Sequence, residues 1–333
     1  MALGMDRVLP WQQEPWRQLM ARKAAGRFPH ALLIGGPAGI GKRAFAAALA
    51  GALLCEESAG AACGRCPGCL QFAGGAHPDY GLWEPEEDAV ALKIHQIREM
   101  NQTIFLTRSR GPYKVCVVNP ADAMTPAAAD SLLKTLEEPP PLTVLLLVSH
   151  RASQLSATIR SRCQAVRLAP CYGEPASGWL QAQGLDEAAA TNLLGITGGT
   201  PLRALALAGE GALEEGGRVA AEVRDLAHGR ADPVTVAQRW SKIGLEVVLP
   251  WLQGLIQDAI RGACDPSGAS LRHVVTDESP AHLSLGHELA LLFAIDARLN
   301  RLAEALAQRH SLSHNSLAEQ IAIPLYQAGG RGK

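Results

Sequence analysis

Two clusters near the start of the chain have residue types and spacings suited to chemistry. The first is "GGPAGIGKRA" at residues 35–44. Gly36, Gly41 and Lys42 match G-x-x-x-x-G-K, with Gly39 between them. Glycines so placed let backbone N–H groups turn inward as a nest for phosphate oxygens, and the lysine reaches the β- and γ-phosphates. The residue after the lysine is ordinarily Ser or Thr, whose hydroxyl holds magnesium. Here it is Arg43, which has none. The plainer reading is a Gly-rich turn from strand to helix.

The second cluster is Cys55, Cys63, Cys66 and Cys69, spaced C-x7-C-x2-C-x2-C. Four thiolates so close in sequence can close a tetrahedral all-sulfur site, and Gly64, Pro67 and Gly68 permit the turns that point them inward. An iron–sulfur run of this type places its fourth cysteine after three intervening residues, before a proline. That cysteine is missing, so zinc is the better match. With all four ligands from protein, the zinc is structural. The plainer reading is free thiols in a loop. Cys116, Cys163, Cys171 and Cys264 are scattered.

Hydrolysis needs more than a phosphate loop. A neighbouring strand must end in an acid that holds magnesium and positions water. The candidate strand, "KVCVV", runs into Asn119-Pro120, and Asp122 lies three residues too far along. Phosphate binding remains open and turnover is not expected.

The elements that position these residues read as strand, loop and helix in alternation. "ALLIG" (31–35) precedes the loop and "KRAFAAALAGALLC" follows it with strong helix formers. "YKVCVVNPA" (113–121) and "LTVLLLVSH" (142–150) are apolar, β-branched strands, and "AAADSLLKTLEE" between them is a helix stopped by Pro139–Pro141. Such alternation predicts a parallel sheet covered on both faces. Beyond about residue 170 helical periodicity takes over. Leu285, Leu289, Leu292, Ile295, Leu299, Leu302 and Leu306 mark one helix face, either a bundle core or an oligomer seam.

Bulk properties narrow the class. The 333 residues carry a formal net charge of −1, which excludes a global field drawing the chain onto nucleic acid. No apolar run suits a membrane span and the start lacks a signal-peptide core, so a cytoplasmic location with reduced cysteines is expected. Arg108, Arg110 and Lys114 form a basic run that either meets DNA or is solvated.

"LSATIRSRCQAVRL" (155–168) follows the last strand expected and sets Arg160 and Arg162 around Ser161. One reading is a solvated basic turn. The other is an arginine finger, a planar cation offered at a subunit edge to a neighbour's γ-phosphate.

Taken together, "PHALLIGGPAGIGK", the four-cysteine insert, "HPDY", "YKVCVVNPADAMTPAAADSLLKTLEEPP" and "IRSRC" resemble bacterial clamp-loader subunits of the AAA+ class. The resemblance is detailed over residues 10–170 and weaker beyond, through "SLSHNSLAEQIAI". It implies a RecA-like α/β domain at 1–168 carrying the zinc module at 55–69, a small helical lid at 169–210, and an all-helical C-terminal collar domain at 211–333. It also implies partners: a motor subunit and a delta subunit in a hetero-pentameric ring, acting on a sliding clamp and primed DNA within a DNA polymerase holoenzyme. The departures match a ring member without ATP turnover. Arg43 replaces the motor's Thr, Asn119-Pro120 replaces its acidic pair, and "GTPLRAL" puts Leu202 where its lid carries an arginine, with Arg203 one residue late. Arg162 then acts in trans, and Gly36, Gly39, Gly41 and Lys42 form a degenerate phosphate loop that holds ATP weakly or not at all. The alternative is an active AAA+ ATPase, a loader motor or helicase loader. A zinc-dependent DNA-binding module fits less well, because the cysteine insert has only Arg65 as a base and no aromatic side chain to stack on bases.

Overall fold

A computed structural model describes residues 8–57, 60–87, 89–209, 212–264, 289–307 and 314–330. Two compact units make up the chain, Met1–Pro170 and Cys171–Lys333.

The first unit is built on five strands: β1 (Ala31–Gly35), β2 (Tyr80–Trp83), β3 (Lys114–Val118), β4 (Thr143–Ser149) and β5 (Gln164–Arg167). Their order is β2-β3-β4-β1-β5 and every neighbouring pair is parallel. Helices cover both faces: α1 (Gln13–Ala24), α2 (Lys42–Leu54), α3 (Pro67–Ala73), α4 (Ile94–Phe105), α5 (Pro126–Glu137) and α6 (Ala157–Arg162).

The two-residue period of a strand divides its side chains between two cores. Leu32, Ile34, Val115, Val117, Leu146 and Val148 pack with Leu19 of α1, Phe45, Leu49 and Leu53 of α2, and Phe72 of α3. Leu33, Cys116, Val118, Leu145 and Leu147 pack on the other side with Ile97 and Met100 of α4, Leu132 and Leu136 of α5, and Ile159 of α6. Each such fully buried aliphatic side chain contributes roughly 1.5–3 kcal/mol. Cys116 is one of them, and burial pushes its thiol up to about 12, so it serves as a small apolar residue.

β1, β3 and β4 lie where the sequence predicts them. β2 and β5 do not appear in that reading. Both are four residues long and sit at the sheet edges: β2, YGLW, is short and interrupted by Gly81, and β5, QAVR, is polar at both ends. The stretch 155–168, expected beyond the last strand, contains α6 and β5.

The second unit, among the described residues, is all helix: α7 (Glu174–Ala182), α8 (Glu187–Ile196), α9 (Pro201–Leu207), α10 (Ala212–Ala227), α11 (Pro233–Ile243), α12 (Leu245–Cys264), α13 (Leu289–Ala307) and α14 (His314–Gly330). α12 packs on α13, and α14 packs on α10 and α11. Leu292, Ile295, Leu299 and Leu302 are buried within the chain, so this face of α13 is core and not a seam. Leu285 lies outside the described residues. No described helix is long and apolar enough to cross a membrane.

Candidate functional site

The phosphate loop joins the end of β1 to the start of α2, at the carboxyl edge of the sheet where α/β folds gather ligands. Its glycines have distinct roles. A Cβ on Gly36 would lie 2.4 Å from the carbonyl oxygen of Leu168, so only glycine lets the loop pass the end of β5. Gly39 and Gly41 adopt φ of 82° and 88°, the left-handed region, and Gly41 caps the N-terminus of α2. The N-terminal turn holds the loop from behind. Trp11 Nε1 donates to the Ile40 carbonyl at 3.0 Å, and the fully buried Gln12 amide donates to Ile40 and Gly41 at 3.0 and 3.1 Å. The sequence gives no sign of this brace, because Trp11 and Gln12 lie in an unremarkable stretch before α1.

The two cations of the loop both have protein partners. Lys42 is 3% exposed, and its Nζ donates to the Gly36 and Pro37 carbonyls, 2.7 Å each. Burial lowers its pKa to about 8, with the Asp122 carboxylate opposing the shift. Arg43 makes a two-pronged pair with Glu84, Nε to Oε1 and Nη2 to Oε2, both 2.9 Å. Asn119 Nδ2 donates to the same Glu84 Oε1 at 2.6 Å. Glu84 directly follows β2 and Asn119 directly follows β3. A carboxylate and an amide therefore converge on an arginine at the strand ends, where a phosphoryl-transfer site collects a hydroxyl, an acid and magnesium. Asp122 is also engaged, accepting the His150 backbone N–H at 2.9 Å.

The four cysteines come together as their spacing predicts. The sulfurs of Cys55, Cys63, Cys66 and Cys69 all lie within 4.8 Å of one another. The Cys55–Cys66 and Cys63–Cys69 separations are 4.0 and 3.9 Å. A tetrahedron with metal–sulfur bonds of about 2.3 Å has edges of about 3.8 Å, so the cluster fits a metal ion with small adjustment. Backbone N–H groups of Cys63, Cys66 and Cys69 point at the sulfurs of Cys55, Cys63 and Cys66 at 3.3–3.4 Å. Such donors stabilise thiolates. At Cys66 burial works against the anion, but the amides of Cys69 and Glu56 outweigh it and the pKa falls. Cys66 is also the N-cap of α3, with Pro67 at the first helical position. Lys23, near the end of α1, donates to the Ala52 carbonyl at 2.5 Å; burial lowers its pKa, and the charges of Cys55 and Cys69 pull it back up.

Beside the cysteines, "HPDY" becomes a clip. The buried Asp79 carboxylate accepts the backbone N–H groups of Ser109, Arg110 and Gly111 at 2.8, 2.7 and 3.1 Å. Burial alone would raise its pKa; these three donors hold it below the usual carboxylate range. The basic run is correspondingly occupied. Arg108 bonds the Gly111 and Pro112 carbonyls, Arg110 pairs with Glu56, and Lys114 is buried on the Thr103 and Leu106 carbonyls at the end of α4. Lys114 is thus neither solvated nor open to DNA.

Arg162 closes α6, and its Nη2 pairs with Glu137 at 2.6 Å while Nη1 reaches the Thr158 carbonyl at 3.1 Å. Glu137 ends α5, so "LLKTLEEPP" and "SRC" meet through this one ion pair. About a third of the Arg162 side chain is exposed (34%), and Arg160 is exposed on the same short helix. In the second unit Leu202 is half-buried on α9 and Arg203 is exposed.

The family model described as "DNA polymerase III, delta subunit" matches residues 11–172. The DNA polymerase III subunit delta' of Pseudomonas aeruginosa is 41% identical over 251 residues, 74% of this chain and 75% of that protein. The subunit delta' of Yersinia pestis is 31% identical over 311 residues, covering 91% of this chain and 89% of its own length. The chain belongs to the DNA polymerase III delta' family. A solved gamma subunit-related protein of Thermotoga maritima aligns over 96% of this chain and 99% of its own, at 16% identity and a TM-score of 0.43.

The fold brings together the residues singled out from the sequence in three separate places. Gly36, Gly39, Gly41 and Lys42 form the loop, the four cysteines form one cluster, and Arg162 lies by the end of α5. Glu84 and Asp79 escaped sequence reasoning. Glu84 is 41 residues from Arg43, and only the parallel order of the sheet sets it there. Asp79 carried a signal in "HPDY", but nothing in the spacing says what a lone carboxylate holds.

Proposed function

We propose that this chain is the non-hydrolysing delta' subunit of a clamp loader, working in a hetero-pentameric ring with motor and delta subunits to place a sliding clamp on primed DNA in the cytoplasm. The observation that carries this reading is the Arg43–Glu84 pair. A guanidinium and its carboxylate occupy the junction where turnover requires a hydroxyl and a metal. With Lys42 turned onto its own loop, the phosphate loop acts as framework and holds no ATP for turnover. An active ATPase would need that junction for magnesium, so the alternative loses its support.

The four cysteines hold a structural zinc ion. Zinc favours tetrahedral thiolate ligation, and four protein ligands leave no position for substrate. The metal supplies cross-linking of the segment 55–69 and no chemical step. Residues 169–210 serve as a lid and 211–333 as the collar that joins the ring.

Arg162 acts on the neighbouring motor's ATP. Its guanidinium, already at the surface, exchanges Glu137 for the γ-phosphate across the subunit boundary. Negative charge on the transferring group is then matched by a fixed planar cation, which favours the transition state over the ground state. Fingers of this kind are worth on the order of 10³ or more in rate at their own site. In a reconstituted loader, Arg162→Ala should leave assembly and metal content intact and depress clamp-stimulated ATPase in part, since other boundaries keep their own arginines. Arg162→Lys should rescue poorly, because an ammonium lacks the planar fork. Arg160→Ala is the control with a smaller effect. Wild-type ATPase and clamp loading by Arg162→Ala would return this arginine to the solvated-turn reading.

A further inference from the structure

The four-cysteine cluster lies beside the segment that joins α4 to β3, and one residue of the module, Glu56, reaches across to it. Glu56 directly follows Cys55, so its main chain is tied covalently to the thiolate cluster. Its side chain leaves the cluster, and Oε1 accepts from Arg110 Nε at 2.7 Å. Arg110 is in turn the middle of the three residues whose amides the buried Asp79 carboxylate gathers.

The corner around Glu56 is tightly built. A Cβ on Gly68 would lie 2.8 Å from the Leu54 carbonyl oxygen and 3.0 Å from Glu56 Oε1, so α3 approaches this carboxylate as closely as its backbone permits. The same Cβ would lie 3.5 Å from His77 Nε2, which places the buried imidazole at this corner. His77 Nδ1 accepts the Asp79 backbone N–H at 3.1 Å. A neutral imidazole that accepts at Nδ1 carries its proton on Nε2. That N–H has no hydrogen-bond partner among the described residues, and it faces the Glu56 corner. A carboxylate, a guanidinium and an imidazole N–H thus meet where the cysteine module touches the body of the domain.

We propose that the four-cysteine module is the anchor of segment 106–113, with Glu56 and Arg110 as the positioning residues that pass the module's placement to it. The inference rests on the metal reading above. Metal fixes Cys55; Cys55 fixes the Glu56 backbone that follows it; the Glu56 carboxylate fixes Arg110; and Asp79 holds the neighbouring amides. The segment begins at Leu106, which with Phe105 before it forms an exposed apolar pair, 67% and 58% exposed. A module that ends at Cys69, well before α4 in sequence, therefore sets how the end of α4 is presented.

Hydrogen exchange on the full chain tests this, with zinc content measured on each sample. Glu56→Gln removes the charge of the pair and leaves all four sulfurs. It should retain zinc at the wild-type level while the amides of Ser109, Arg110 and Gly111 exchange about three-fold faster, the scale of a half-exposed ion pair. Removing zinc with a chelator should speed the same amides further and leave those of β4 unchanged. Zinc-loaded Glu56→Gln with wild-type exchange over 106–113 would overturn the anchor and leave the metal reading standing. Native protein without metal would overturn the metal reading, and the anchor with it.

Discussion

The phosphate loop and the cysteine module are the two places in the first unit built to hold a cation or an anion, and they have opposite endings. In the loop every charged group is answered from within the chain: Lys42 by two carbonyls, Arg43 by Glu84, Asp122 by a backbone amide. In the module four sulfurs face one another, and the amides around them favour the thiolate. The Lys23 ammonium beside them feels the charges of Cys55 and Cys69, while it donates to the Ala52 carbonyl. A degenerate motif is judged by two separate things. Missing residues say that a reaction has lost parts; what has taken their place says whether the site is still available. At the loop an arginine and a carboxylate fill the junction. At the module the four sulfurs still converge on one another.

The largest expected effect lies at the module. Cys66→Ser should reduce zinc from near one per chain to background and strip protection from the amides of α3, because an all-protein zinc site contributes its binding energy to local folding. Full metal retention, measured by elemental analysis, would show that the cluster is not a metal site. Asp79→Asn should come next, costing about 2–3 kcal/mol in chemical denaturation, since an amide turns a donor toward N–H groups that need acceptors. The sign with pH follows from its depressed pKa. The carboxylate's contribution is complete above its ordinary value of 3.8 and fades as pH falls through the lower folded-state value. The deficit of Asp79→Asn should therefore be constant from pH 6 to 8 and shrink in acid. A deficit that grows in acid would contradict the clip. Arg43→Thr should have the smallest effect on stability, about 0.5–1 kcal/mol for a half-exposed pair. It should yield no ATP turnover, because Asn119 still stands where an acid is required. Turnover by this single variant would show that the loop is one residue from activity.

What the sequence made legible follows from range. The three central strands and their covering helices announce themselves in continuous apolar runs, since burial on both faces needs no alternation. The cysteine cluster is legible because its ligands are local and its chemistry is fixed by sulfur. β2 and β5 were not, because β2 is short and interrupted by Gly81 and β5 is polar at both ends. Glu84 was not, because its meeting with Arg43 depends on β2 crossing to the far edge of the sheet beyond β3. Lys114 misled in the opposite direction: read among arginines it belongs to a basic run, yet its register in β3 buries it under the end of α4. Arg162 and Glu137 were each visible in their own motif, and their contact was not.

The most direct test of the central claim, that the phosphate loop is closed and the chain is a partner of a motor, is ATP hydrolysis by the purified zinc-loaded chain with magnesium, alone and with primed DNA and clamp. The predicted result is no turnover above background in any of these conditions. Turnover that disappears in Lys42→Ala would contradict the claim and make this loop an active site.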